Sequence, residues 1–342
     1  MTYRKETELK DVDKCDELLK DYPDELNKYI RSVEFITTPK TRLEYAKDIV
    51  KFYDYTAEVF DIETKDVNIE ILNKLNSDFF EDFLHYLRKY ERNGRVYSNS
   101  DVSIKRKLSA IRSYFNFLFE KELISSNQIL KIKPPKLRDK EIIRMNDDET
   151  SRFVKTVNQG TTFSKRQVAY HKKQAVRDMA ICYLLLSTGM RVSELVGLDL
   201  QDIDMNDCSV RIVRKGGREA SVWFSDEAAE FLRDYIEERK KIKTPDPDEK
   251  ALFLSSRKQR ISVGAVEVLV KKYARVSVPQ KNITVHKLRS TYGTKLYEKT
   301  GDIYLVADNL GHNDISTTKK HYANLSNRRK ADSRNIINIA ND

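Results

Sequence analysis

A chain of 342 residues and 40.0 kDa is long enough for two domains, each with its own apolar core. Its 63 Lys and Arg against 53 Asp and Glu leave a net charge of +10, which suits a polyanionic partner such as nucleic acid. Cys15, Cys182 and Cys208 have neither paired nor metal-ligand spacing, which argues against a disulfide framework or a zinc site and for a reducing compartment. The N-terminus has no apolar core segment and no run reaches membrane-spanning length, so the expectation is a cytoplasmic protein that does not enter a membrane.

The first third reads as charged helices, with residues 1–23 an extension ahead of a helical unit at 24–125. Thr38-Pro39 opens a helix in cap-then-proline order, and Leu43, Ala46, Val50 and Tyr53 give its buried stripe. Ser77 is the expected cap of the next, where Phe79, Phe80, Phe83, Leu84 and Leu87 form a broad apolar face. The stretch ERNGRVYSNS reads as a loop before a third long helix, on which Ile104, Leu108, Ile111, Phe115 and Leu118 face inward. Lys105, Arg106 and Arg112 fall off that stripe and project outward, a face suited to DNA phosphates or to water. Residues 126–145 lose periodicity, carry Lys133 and Pro134-Pro135, and read as a linker whose basic residues would suit a path across a DNA backbone.

From 146 to 342 the pattern changes. Asn146 begins a short helix, and VRDMAICYLLLSTG is an apolar helix ending at Gly189, followed at once by Arg191 on a rigid support. CSVRIV and EASVWF read as strands joined by RKGGR, with Lys215 at the tip. Ser225 caps an amphipathic helix, ALFLSS reads as a short strand, and SVGAVEVLVKKYARV as a further helix. Arg257, Lys258 and Arg260, in RKQR, are a second set of phosphate contacts or a solvated turn. Thr284 is the expected cap of a helix carrying His286 and Arg289, three apart and so on one face, above a stripe of Leu288, Tyr292 and Leu296. A short helix, DIYLVADNLG, then ends at Gly311, with His312 next and Tyr322 beyond it.

STGMRVSELVGL, RKGGR, HKLR, LGH and the late tyrosine, in that order, resemble the tyrosine recombinase family of phage integrases, Xer and Cre proteins. Each motif alone is weak; five in sequence behind a helical domain are specific. The resemblance implies a mainly α fold with a small β-sheet: an N-terminal helical, SAM-like core-binding domain and a C-terminal mixed α+β catalytic domain. It implies that Arg191 and Arg289 hold the scissile phosphate, that Lys215, His286 and His312 complete the site, and that Tyr322 is the nucleophile. Tyr322 lies ten residues after His312, one more than the simplest family spacing, which would fall on His321, a residue that cannot form the link. Ser290 stands where a histidine often follows the second arginine.

The implied reaction is site-specific DNA strand exchange through a 3′-phosphotyrosyl intermediate, with no metal, ATP or other cofactor. The implied partner is double-stranded DNA with inverted-repeat sites, bound by a homotetramer that is monomeric when free. About two dozen residues, many of them charged, precede the clamping region, which favours Xer-like resolution, inversion or mobile-element movement over integration at distant arm sites. Tyr292, Tyr297 and Tyr304 are read as packing residues. Two other classes remain open at this point: a DNA-binding regulator with the same fold, and a nicking-resealing enzyme of the type IB topoisomerase kind.

Overall fold

The apolar stripes of the first third fold onto one another as a helical bundle. The computed structural model describes residues 2–92, 94–137, 142–160, 165–214, 216–247 and 249–311. The chain divides into two units, Met1–Lys140 and Glu141–Asp342. The first holds α1 (Tyr3–Leu19), α2 (Asp24–Ser32), α3 (Pro39–Phe60), α4 (Ile69–Lys74), α5 (Ser77–Arg88) and α6 (Asp101–Glu120). Helix α1 packs along α3 and sends Cys15 and Leu19 into the core, so the charged first residues contain a helix that sequence patterning did not announce.

Helix α3 opens as expected, the Thr38 hydroxyl accepting from the Thr41 N–H at 3.3 Å ahead of Pro39. The cap of α5 is Asn76 rather than Ser77; its side-chain oxygen accepts from the Phe79 N–H at 3.0 Å. Phe52 is fully buried among Phe79, Phe80, Phe83 and Phe115, with ring centroids 5.2 to 6.0 Å away. The expected loop ERNGRVYSNS is instead a hairpin, β1 (Lys89–Arg92) against β2 (Arg95–Ser98), with the Tyr90 and Tyr97 rings stacked across it at 5.3 Å. The Asn-Gly dipeptide between Tyr90 and Tyr97 is a hairpin signal in the sequence.

The linker begins inside this unit: a 3₁₀ turn at Gln128–Lys131 places Ile129 and Ile132 in the core, next to Ile124. Arg112 does not project outward; its guanidinium donates to the Ile132 carbonyl and ties that turn to α6. Arg106 stays exposed yet bonds the buried Asp48 at 2.9 Å, and Lys107 bonds the same carboxylate at 2.8 Å. Lys105 and Lys133 are exposed.

The second unit is built round α8 (Lys165–Thr188), which takes α7 (Asp147–Gln159), α10 (Asp226–Lys241) and α12 (Val285–Thr300) against its sides. Asn146 and Glu149 form a capping box at the start of α7. Burial disfavours the Glu149 charge, but Lys281 at 2.7 Å and the Asn146 N–H outweigh it and hold the carboxyl below its usual range. The short α9 (Val192–Val196) precedes an antiparallel sheet of β3 (Ile203–Asp204), β4 (Ser209–Val213) and β5 (Glu219–Trp223), in that order. Val210 faces Val222 across β4 and β5, and both are buried.

ALFLSS forms no strand; it contributes only isolated bridges, Asp199 to Ala251 and Leu254 to Arg260. A short continuous apolar run fits any buried segment, and Ala251 to Leu254 are all buried. Helix α11 (Val263–Ser277) joins α8 through Asp178, which accepts from Tyr273 at 2.7 Å and Arg177 at 2.7 Å. Helix α13 (Ile303–Leu310) lies against α12. Among the described residues no helix is long and apolar enough to cross a membrane.

Phe52→Ala removes the ring at the centre of the first core and should cost about 3–5 kcal/mol. Urea denaturation followed by far-UV circular dichroism reads this as a lowered midpoint for the transition of that unit.

Candidate active site

The site begins where α8 stops. Gly189 has φ +62°, and a Cβ there would lie 2.3 Å from the Tyr292 ring, so only glycine makes this turn. Two residues on, Arg191 caps α9: its backbone N–H donates to one Glu194 carboxylate oxygen at 2.7 Å and its Nη1 to the other at 2.9 Å. Glu194 is buried, so backbone and side chain of Arg191 share one fixed anchor. The Arg191 Nη2 donates to the Gly311 carbonyl at 2.9 Å.

Arg289 reaches the same place from α12. It is 6% exposed, its Nη1 donates to the Gly189 carbonyl at 2.7 Å, and its Nη2 donates to the Leu310 carbonyl. The two guanidinium groups thus meet consecutive carbonyls at the end of α13, where the partial negative charge of a helix C-terminus favours cations. His286 sits one residue into α12, exposed, and the Ser290 hydroxyl donates to its carbonyl at 3.1 Å. Ser290 therefore works on its own helix. Thr284 begins α12 but makes no side-chain cap bond.

Lys215, His312 and Tyr322 lie outside the described residues. The residues flanking the first two are described. The Arg214 N–H donates to the Arg218 carbonyl at 2.7 Å and closes the hairpin, and Gly311, at φ +59°, ends α13 in a left-handed turn immediately before 312. Of the three other tyrosines, Tyr297 is buried and Tyr292 half-buried, its phenol pushed up in pKa by that burial. Tyr304 is exposed.

Sequence reading missed Arg214. Its Nη1 donates to the Asp308 carbonyl at 2.9 Å and its Nη2 to the Asn309 carbonyl at 3.1 Å. The partners are 94 and 95 positions away, so no local pattern marks the contact. Glu194, which the sequence pattern did not mark either, is a buried carboxylate that clamps Arg191. Of the outlying basic residues, Arg257 and Lys258 are exposed. Arg260 is turned into the unit, bonded to the Val196 and Leu198 carbonyls at 3.1 and 3.0 Å and to the Asp199 carboxylate.

Comparison with known proteins places this arrangement. The phage integrase family profile matches residues 127–329, and that of the phage integrase N-terminal SAM-like domain matches 26–122. Tyrosine recombinase XerS of Streptococcus agalactiae is 30% identical over 343 residues, covering 92% of this chain and 95% of its own. Tyrosine recombinase XerC of Caldanaerobacter subterraneus is 30% identical over 313 residues, covering 87% and 82%. The fold matches the Tn1549 transposon integrase in complex with transposon right end DNA at TM-score 0.65 and 15% identity, covering 92% and 99% of the two chains. It also matches XerH recombinase bound to its difH substrate at TM-score 0.63 and 19% identity, covering 87% and 80%. Neither a DNA-binding regulator nor a type IB topoisomerase is favoured by these matches. With both profiles and full-length relatives in agreement, the chain belongs to the phage integrase family and is a site-specific tyrosine recombinase.

Proposed function

We propose that six residues carry the strand transfer: Tyr322 as nucleophile, Arg191 and Arg289 as phosphate clamps, Lys215 as proton donor, and His286 and His312 as auxiliary groups. The observation that carries this reading is the meeting of Arg191 and Arg289 on the Gly311 and Leu310 carbonyls, directly before His312 in the chain. Both guanidinium groups are held in place before any substrate arrives, the preorganisation that electrostatic catalysis needs. Arginine suits the task because its planar fork matches phosphate oxygens and never loses its charge.

In the first half-reaction the Tyr322 oxygen bonds to phosphorus while the phosphorus–O5′ bond breaks and leaves its electron pair on O5′. The phenolic proton leaves with assistance from His286, and O5′ takes a proton from the Lys215 ammonium. Arg191 and Arg289 neutralise the charge that gathers on the non-bridging oxygens, and His312 hydrogen-bonds one of them. The phosphotyrosine conserves the bond energy, so a second 5′-hydroxyl reseals the strand in the reverse sequence without ATP.

The partner is DNA. In this reading residues 24–125 are the helical DNA-binding domain, 126–145 the connector and 146–342 the catalytic domain. The exposed Lys105, Lys133, Arg257 and Lys258 then contact phosphates, while Arg106, Arg112 and Arg260 act first as internal ties. Two inverted-repeat sites held by four subunits give strand exchange its symmetry, and the free protein is a cytoplasmic monomer.

A substrate nicked close to the cut, so that the released fragment diffuses away, traps the covalent complex. Tyr322→Phe should abolish that complex, and its persistence would remove Tyr322 as nucleophile. Arg191→Ala and Arg289→Ala should each slow its formation by roughly 10²–10³-fold while DNA binding by gel shift is largely kept. Loss of binding equal to the loss of cleavage would count against a role at the phosphate. Binding should also fall linearly in log K against log salt, with a slope near −0.9 for each neutralised phosphate of the duplex; a flat dependence would contradict the contacts assigned to the exposed lysines.

A further inference from the structure

The hairpin between β4 and β5 is anchored by one residue that the reaction scheme does not use. Arg214 bridges the Asp308 and Asn309 carbonyls through its two terminal nitrogens. The next carbonyls along, Leu310 and Gly311, take Arg289 and Arg191. Three arginines from three different elements therefore share four consecutive carbonyls. The fit at Gly311 is closed: a Cβ there would overlap the Arg214 guanidinium, and φ +59° already favours glycine. Arg214 sits immediately after β4, its N–H and carbonyl both bonded across the turn to Arg218 and Gly217.

We propose that Arg214 is a positioning residue: it locks the β4–β5 hairpin to the end of α13, so that the adjacent Lys215 is delivered to the phosphate that Arg191 and Arg289 hold. This rests on the reading of Lys215 as the proton donor. Fork geometry is what the contact requires, because one guanidinium spans two carbonyls where an ammonium cannot present the same planar pair of donors. A hairpin held only by its two strands would let the lysine wander, and proton donation is sensitive to heavy-atom distance.

The test compares ordinary DNA with DNA whose scissile 5′-bridging oxygen is replaced by sulfur. An alkyl thiol ionises near pH 8.5, against about 15.7 for water, so the sulfur leaves without a proton donor. Arg214→Ala should slow covalent-complex formation on ordinary DNA on the order of 10²-fold, the usual contribution of a general acid. On the sulfur substrate it should return to within a few-fold of the parent chain, as should Lys215→Ala, whereas Arg191→Ala should stay slow on both. Arg214→Lys keeps a cation at the helix end but not the fork. It should fold even if the alanine variant does not, and should show the same substrate-dependent defect. If Lys215→Ala is rescued and the Arg214 variants are not, the reading of Lys215 stands and the positioning role is overturned. If Lys215→Ala is not rescued either, the donor is another group and the proposal falls with that reading.

Discussion

The end of α13 is the constraint on which the catalytic unit depends. The last carbonyls of a helix have no partner within it and must find one outside. Here Asn309, Leu310 and Gly311 find theirs on Arg214, Arg289 and Arg191, which come from the hairpin, from α12 and from the turn after α8, while the Asp308 carbonyl takes Arg214 in addition to the Gly311 N–H. Hydrogen bonds to a charged donor contribute about 1.5–3 kcal/mol each, more than neutral ones, so this junction offsets the cost of bringing three cations together. The same bonds set the position of the hairpin and of the turn that leads to His312. Stability and site geometry have one origin.

Arg191 and Arg289 are held in different ways. Arg191 shares its charge with the buried Glu194, which fixes both its backbone and one terminal nitrogen. Arg289 donates to the Gly189 and Leu310 carbonyls, dipoles that help to orient its guanidinium. Gly189 matters twice here, since its left-handed turn both ends α8 under the Tyr292 ring and aims its carbonyl at Arg289. A side chain at that position would disturb the packing and the clamp together.

Much of this was legible because strong local rules agreed. Thr38-Pro39, Asn146, Ser225 and Gly311 mark helix ends through contacts within a few residues, and each is where the sequence put it. The family order of short motifs then supplied Arg191 and Arg289, whose partners are separated by 120 and 100 positions and which no periodicity could have joined. Where several local assignments competed, reading failed: the Lys89–Ser98 hairpin hid behind its charges, and ALFLSS looked like a strand because its first four residues are apolar without a break. Helix α1 escaped because only a few of its residues are buried, too few to raise its stripe above the charged background.

The basic residues separate on a different principle, namely where each guanidinium ends. An off-stripe arginine on a helix is compatible with solvent, with DNA, or with a carbonyl brought alongside by the fold, and the sequence weighs these equally. Arg112 and Arg260 took the third course: Arg112 donates to the Ile132 carbonyl, and Arg260 to those of Val196 and Leu198, the last of which also accepts from the Leu252 N–H at 2.9 Å. Arg214 is the same kind of residue in a more consequential place. In a chain with 63 cationic side chains, net charge describes the attraction to DNA, but the arginines that bind carbonyls decide how the recombinase is assembled. Arginine is suited to both tasks by one property: a fork of donors that satisfies two oxygens at once, whether they belong to a helix end or to a phosphate.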